Sequence, residues 1–172
     1  MSEIVEELIG ANEQSDFELV KPSSPDKGIV VVTCMDARIN PYEVLGLSAG
    51  NAHILRNAGG VLTDDIVRSV ALSQQAFKTT HVIVMQHTDC GLCKMDEAAS
   101  IQNFTKMTGQ KPEWQIGSFN DPYESVRSSV EKLESSPFIE CKDNIYGFVY
   151  NVETGKIETV KNQSMITPEA TP

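Results

Sequence analysis

The chain has 172 residues, 40% hydrophobic and 22% charged, which suits one soluble domain large enough to bury a real core. A formal charge of −10, from 24 acidic against 14 basic side chains, excludes nucleic acid and anionic membranes as expected partners. No run approaches the ~18 apolar residues of a membrane span. The acidic start Met1-Ser2-Glu3-Ile4-Val5-Glu6-Glu7 lacks the basic character of a targeting leader, and four cysteines are too few for a disulfide framework. The expectation is a cytoplasmic protein with reduced thiols.

Residues 3–19 carry a weak helical pattern through Ile4, Val5, Leu8 and Ile9, with an acidic face. Together with a loop containing Pro22 and Pro25, they form an N-terminal arm over 1–27. Ile29 to Thr33 is a continuous β-branched run, the signature of a strand buried on both faces. Asn40-Pro41 starts a short helix that runs through Leu45 and ends at Gly46. Ala52 to Arg56 is a second strand, followed by the turn Asn57-Ala58-Gly59-Gly60. Thr63-Asp64-Asp65 supplies a capping hydroxyl and two acids, and Ile66, Val67, Val70, Ala71 and Phe77 continue at helical period. His81 to Gln86 is a third strand. Helices are predicted over Met95–Met107 and Asp121–Ser135, and a closing β-hairpin over Asn144–Val152 and Lys156–Val160. One domain is thus expected over 1–160, with 161–172 a flexible tail.

Strands alternating with helices predict an α/β fold with a mostly parallel central sheet flanked by helices, whose ligands bind beyond the carboxyl ends of the strands. Two motifs fall there. Cys34-Met35-Asp36-Ala37-Arg38 follows the first strand, and His87-Thr88-Asp89-Cys90-Gly91 follows the third. Cys34, His87 and Cys90 form a donor set suited to Zn²⁺: thiolate and imidazole select zinc over hard cations, and three protein ligands leave a fourth position open, as in catalytic sites. That position belongs either to water or to Asp36, two residues from Cys34. Arg38 competes for the Asp36 carboxylate through a bidentate pair. When Arg38 holds Asp36 the metal is open; otherwise Asp36 can be a fourth ligand in a closed state.

The pattern Cys-x-Asp-x-Arg then His-x-x-Cys, with Arg56-Asn57-Ala58-Gly59 between, resembles the β-class carbonic anhydrases. The short length, the Asn-Ala-Gly-Gly turn and the C-terminal Gly147-Phe148-Val149-Tyr150 with Thr154-Gly155-Lys156 resemble its smallest branch, which also includes carbonyl sulfide hydrolases. The resemblance implies reversible hydration of CO₂ to bicarbonate. It also implies Cys34, His87 and Cys90 as zinc ligands, Asp36 and Arg38 as a catalytic dyad, and a homodimer or tetramer. The alternative within that branch is conversion of carbonyl sulfide (COS) and water to H₂S and CO₂ at the same site. Asn57, Gly59 and Gly60 are candidates for the substrate pocket. The upstream glutamine of larger relatives has no counterpart in Ser23-Ser24-Pro25-Asp26, and the tryptophan of bicarbonate-regulated members is replaced by Val31-Val32.

Two other readings fit parts of the chain. Cys90-Gly91-Leu92-Cys93 matches a Cys-x-x-Cys redox motif but leaves Cys34, Asp36, Arg38 and His87 unexplained. A structural zinc protein explains the donors but not the open position. His53 and His81 sit at strand starts, where packing or exposure accounts for them. Asp89 and Thr88, between two donors, are candidates for hydrogen bonds that order the loop.

Overall fold

A computed structural model of the chain describes residues 1–16 and 22–160. The β-branched run forms strand β1, Ile29–Cys34, in which every residue after Ile29 is buried. Helix α2, Pro41–Leu45, is capped by the Asn40 side chain accepting from the Tyr42 N–H, and it stops at Gly46 in the left-handed region. Strand β2 is Ala52–Asn57. Helix α3, Asp64–Phe77, starts as the Thr63 signal predicts, with Oγ1 accepting from the Ile66 N–H. Strand β3 is His81–His87.

Helix α4, Glu97–Thr108, begins later than the sequence suggests, because Asp96 caps it by accepting from the Ala99 N–H and Met95 stays extended. Helix α5, Pro122–Ser135, is capped by Asp121. Strands β4, Ile145–Asn151, and β5, Lys156–Val160, form the hairpin. Helix α1, Glu3–Glu13, is shorter than the 3–19 pattern, of which residues 17–19 lie outside those described. The tail expected over 161–172 also lies outside the described residues.

Among the described residues, five strands form one sheet in the order β2-β1-β3-β4-β5. β1 is parallel to β2 and β3, β3 is parallel to β4, and only β4–β5 is antiparallel. The α/β architecture with a mostly parallel sheet is therefore present, and the hairpin is part of the sheet, with β4 joined to β3. One face, carrying Val30, Val32, Val82, Val84, Ile145 and Val149, packs against Ile66 and Val70 of α3 and Val126, Val130 and Leu133 of α5. A second apolar cluster gathers Cys34, Ile39, Met85, Cys90 and Leu92, with Val44, Leu45, Phe119, Phe148 and Tyr150 against it.

Chain order and strand order together place the site. After β1 the chain moves to one side for β2, then crosses back to the other side of β1 for β3. The crevice at such a reversal lies beyond the carboxyl ends of β1 and β3. Cys34 is the last residue of β1 and His87 the last of β3. Among the described residues, no helix is long and apolar enough to cross a membrane.

Candidate metal centre

Cys34, His87 and Cys90 converge at this crevice, and their donor atoms all lie within 4.8 Å of one another. Zinc bound tetrahedrally at the usual bond lengths would bring such atoms to about 3.7 Å, so small side-chain rotations close the triangle. All three residues are buried. The orientation of His87 is fixed from behind: its Nδ1 lies 2.8 Å from the Thr88 carbonyl, which can only accept, so Nδ1 carries the hydrogen. Nε2 then presents a lone pair to the two sulfurs, and it is a buried nitrogen without a hydrogen-bond partner. A buried imidazole nitrogen left unpaired beside two thiols is what a metal ion would satisfy. The residues present fit zinc.

The three groups also shift one another's protonation. Burial pushes the Cys34 thiol up, but the His87 imidazole and backbone N–H groups of Asp36 and Gly59 more than offset it, and its pKa falls. Burial lowers His87, while the Cys34 sulfur raises it by more. Cys90, chiefly through burial, is pushed up to about 11 and stays a thiol at neutral pH.

Asp36 stands on the rim. Arg38 clasps it through Nε to Oδ1 at 3.0 Å and Nη2 to Oδ2 at 2.8 Å, and the Arg38 backbone N–H donates to Oδ1 at 2.9 Å. The guanidinium holds the Asp36 carboxyl well below the usual carboxylate range. Oδ2 lies 3.8 Å from His87 Nε2, so the carboxylate borders the donor triangle while Arg38 keeps hold of it. The other edge of the guanidinium is held by Asp89, through Nη1 to Oδ2 at 2.9 Å and Nη2 to the carbonyl at 3.1 Å. Lys94 pairs with the remaining Asp89 oxygen. Arg56 ties down the first motif by donating from Nε to the Cys34 carbonyl at 3.0 Å and from Nη2 to the Asp36 carbonyl at 2.8 Å.

Gly59 and Gly60 are buried behind the site. Gly60 has φ +63°, and a Cβ there would meet the Cys34 nitrogen at 2.8 Å and the Thr33 carbonyl carbon at 2.9 Å, so only glycine lets this turn back onto the first donor. A Cβ on Gly59 would meet Leu92 at 2.5 Å. Asn57 binds the turn to itself, Nδ2 donating to the Val61 carbonyl at 2.8 Å, and its own carbonyl accepts from the Met35 N–H. Asn57 also lines a mostly apolar cavity of about 440 Å³ with Met35, Leu92, Met95 and Trp114.

Thr88 fixes the second loop: its N–H donates to the Tyr150 carbonyl at 2.9 Å and its Oγ1 accepts from the Val152 N–H at 3.1 Å. His53 and His81 lie at the opposite end of the sheet from Cys34 and His87, paired in register with Val30 and Ile29. His53 spends both ring nitrogens on Ser73 and the Ser23 carbonyl. Cys93 lies outside the donor triangle, and no described cysteine is in a disulfide. Sequence reading left the roles of Arg56 and Lys94 unassigned. Arg56 stands in a motif quoted above, whereas nothing in the sequence marks Lys94.

A mostly parallel sheet that gathers two sulfurs and an imidazole at its reversal point, with a clasped aspartate on the rim, defines a class: α/β proteins whose strand-end crevice could hold a metal ion. A family model for carbonic anhydrase matches residues 29–157. Beta-carbonic anhydrase 1 of Mycobacterium tuberculosis is 40% identical over 146 residues, covering 85% of this chain and 90% of that protein. Carbon disulfide hydrolase of Saccharolobus solfataricus is 33% identical over 184 residues, covering 91% and 89%. The crystal structure of carbonic anhydrase from Streptococcus mutans superposes with a TM-score of 0.84 at 34% identity, covering 94% of this chain and 99% of that one. The chain belongs to the β-carbonic anhydrase family, whose members are zinc enzymes.

Proposed function

We propose that this chain is a zinc-dependent carbonic anhydrase, interconverting CO₂ and bicarbonate, with Cys34, His87 and Cys90 holding the metal. The observation that carries this reading is the Asp36 carboxylate poised 3.8 Å from the unpaired His87 Nε2 and clasped by Arg38, inside a family fold. When bound, zinc supplies the Lewis acidity that makes water a nucleophile at neutral pH. Arg38 keeps Asp36 ionised, so the carboxylate accepts a hydrogen bond and does not donate one. Asp36 Oδ2 faces the donor triangle and orients the hydrogen of an attacking water there, leaving its lone pair free to meet the carbon of O=C=O. Leu92, Val61, Ala58 and Phe119 make the surroundings apolar, which suits an uncharged linear substrate.

A second reading keeps the same residues and changes the substrate to a sulfur-bearing O=C=S or S=C=S. The Saccharolobus carbon disulfide hydrolase favours it, aligning with 91% of the chain. Attack on carbon is common to both, and the sulfur leaves as H₂S. A paired assay on one zinc-quantified preparation tests the choice, with CO₂ hydration by stopped-flow proton release and H₂S release from COS and from CS₂. Fast CO₂ turnover with little sulfide supports the anhydrase; the reverse supports the hydrolase. A zinc-loaded chain inert toward all three leaves the metal a structural one.

The functional form is a homo-oligomer in this proposal. Helix α1 buries none of its residues, and Ile4, Leu8 and Ile9 stay exposed along it, a face that a second copy would cover. Light scattering on purified protein tests this, and a monomer at micromolar concentration would contradict it.

A further inference from the structure

We infer that Asp89, backed by Lys94, is a positioning residue that holds the Arg38 guanidinium on Asp36 and so keeps that carboxylate off the donor triangle. The inference rests on the metal-site reading proposed above. Asp36 has two competing destinations. One is Arg38, which it now holds; the other is the metal site, whose His87 Nε2 lies 3.8 Å from Oδ2. Whatever fixes Arg38 decides between them.

Arg38 alone is poorly suited to that task. Its side chain is half exposed, and holding a long arginine in one rotamer costs entropy that an exposed ion pair barely offsets. Asp89 removes this freedom. A guanidinium has five N–H donors. Two point to Asp36, and two more point to Asp89, one to the carboxylate and one to the carbonyl. The planar group is thus spanned between two loops, the one after β1 and the one after β3.

The backbone at Asp89 makes the double grip possible. Its φ of 56° lies in the left-handed region, which aspartate and asparagine enter more readily than other non-glycine residues. In that conformation the carbonyl and carboxylate of one residue both meet the same guanidinium. Lys94 takes the other carboxylate oxygen, so the charges alternate along Asp36, Arg38, Asp89 and Lys94. Without Lys94, the second carboxylate would add an uncompensated negative charge next to a two-sulfur site. Because Asp89 lies between His87 and Cys90, the loop that supplies two donors also sets the aspartate that guards them.

The test uses the full chain with Co²⁺ in place of zinc, comparing wild type with Asp89→Asn, Asp89→Ala and Lys94→Met. Asparagine tolerates the left-handed backbone and keeps the carbonyl, so it isolates the carboxylate should the alanine variant fold poorly. The readouts are the visible cobalt spectrum and azide affinity, which report whether the fourth position is open. Azide should bind about tenfold more weakly in Asp89→Asn, the lower end of what residues behind metal sites contribute, and less weakly in Lys94→Met. Adding Asp36→Ala to Asp89→Asn should restore azide binding, since no carboxylate remains to close the site. In metal-free protein, the Arg38 Nε–H should exchange with solvent about tenfold faster in Asp89→Asn than in wild type. Asp89→Asn matching wild type in spectrum, azide affinity and Arg38 exchange overturns the inference. A wild-type chain that takes up no cobalt overturns the metal reading itself, while Arg38 exchange still reports whether Asp89 grips the guanidinium.

Discussion

The centre has two layers that differ in nearly every physical respect. The donor layer is out of water, with Cys34 4%, His87 0% and Cys90 2% exposed; Cys34 and His87 end the neighbouring strands β1 and β3, and Cys90 lies in the loop after β3. The rim layer is wet, with the Arg38, Asp89 and Lys94 side chains 48%, 49% and 70% exposed, and it is held by ion pairs and by hydrogen bonds to backbone. Buried donors lose a great deal when one is removed, because the others are left unpaired in an apolar setting. Exposed pairs are individually weak and screened by salt. In the proposed zinc reading, the buried layer decides whether a metal is held, and the rim adjusts what the held metal does.

Removing a donor should break the comparison most sharply. Cys34→Ser, His87→Ala or Cys90→Ser should each abolish stoichiometric zinc, read by elemental analysis, and reduce turnover to background. Asp36→Ala should sit between the layers: full zinc content, with kcat/KM for CO₂ lower on the order of a hundredfold, the scale of losing a group that orients the nucleophile. Zinc uptake should release protons at neutral pH, since the Cys90 thiol, pushed up to about 11, must give up its hydrogen to bind. Affinity should accordingly rise with pH, and calorimetry in buffers of different ionisation enthalpy counts the protons. The smallest effect belongs to a rim-like pair away from the site. Glu124, exposed on α5, pairs with the partly buried Arg127 one turn on, and Glu124→Gln should leave both Tm and zinc content unchanged.

The same division explains what the sequence discloses. The runs before Cys34 and His87 are β-branched because both strands are buried, and that pattern reads without coordinates. The cap at Thr63 was likewise legible, being a local hydrogen bond. The rim was not. Arg38 meets Asp89 across the crevice only because β1 and β3 are neighbours and Asp89 turns left-handed, and neither fact is written in local composition. The joining of β4 to β3 was hidden for a related reason, since a hairpin pattern fixes its own two strands and not the strand beside them. The shortfall in α4 is a capping choice: Asp96 gains an N–H partner by staying outside the helix.

Strand order carries a last consequence. Cys34 and His87 lie far apart in the chain yet end adjacent parallel strands, so a metal held by both is a cross-link that closes a long loop. Like a disulfide across the same span, such a staple disfavours the unfolded chain. It differs in being reversible by mass action, so a chelator or a fall in free zinc acts as a thermostat on the fold, moving the melting temperature with metal activity.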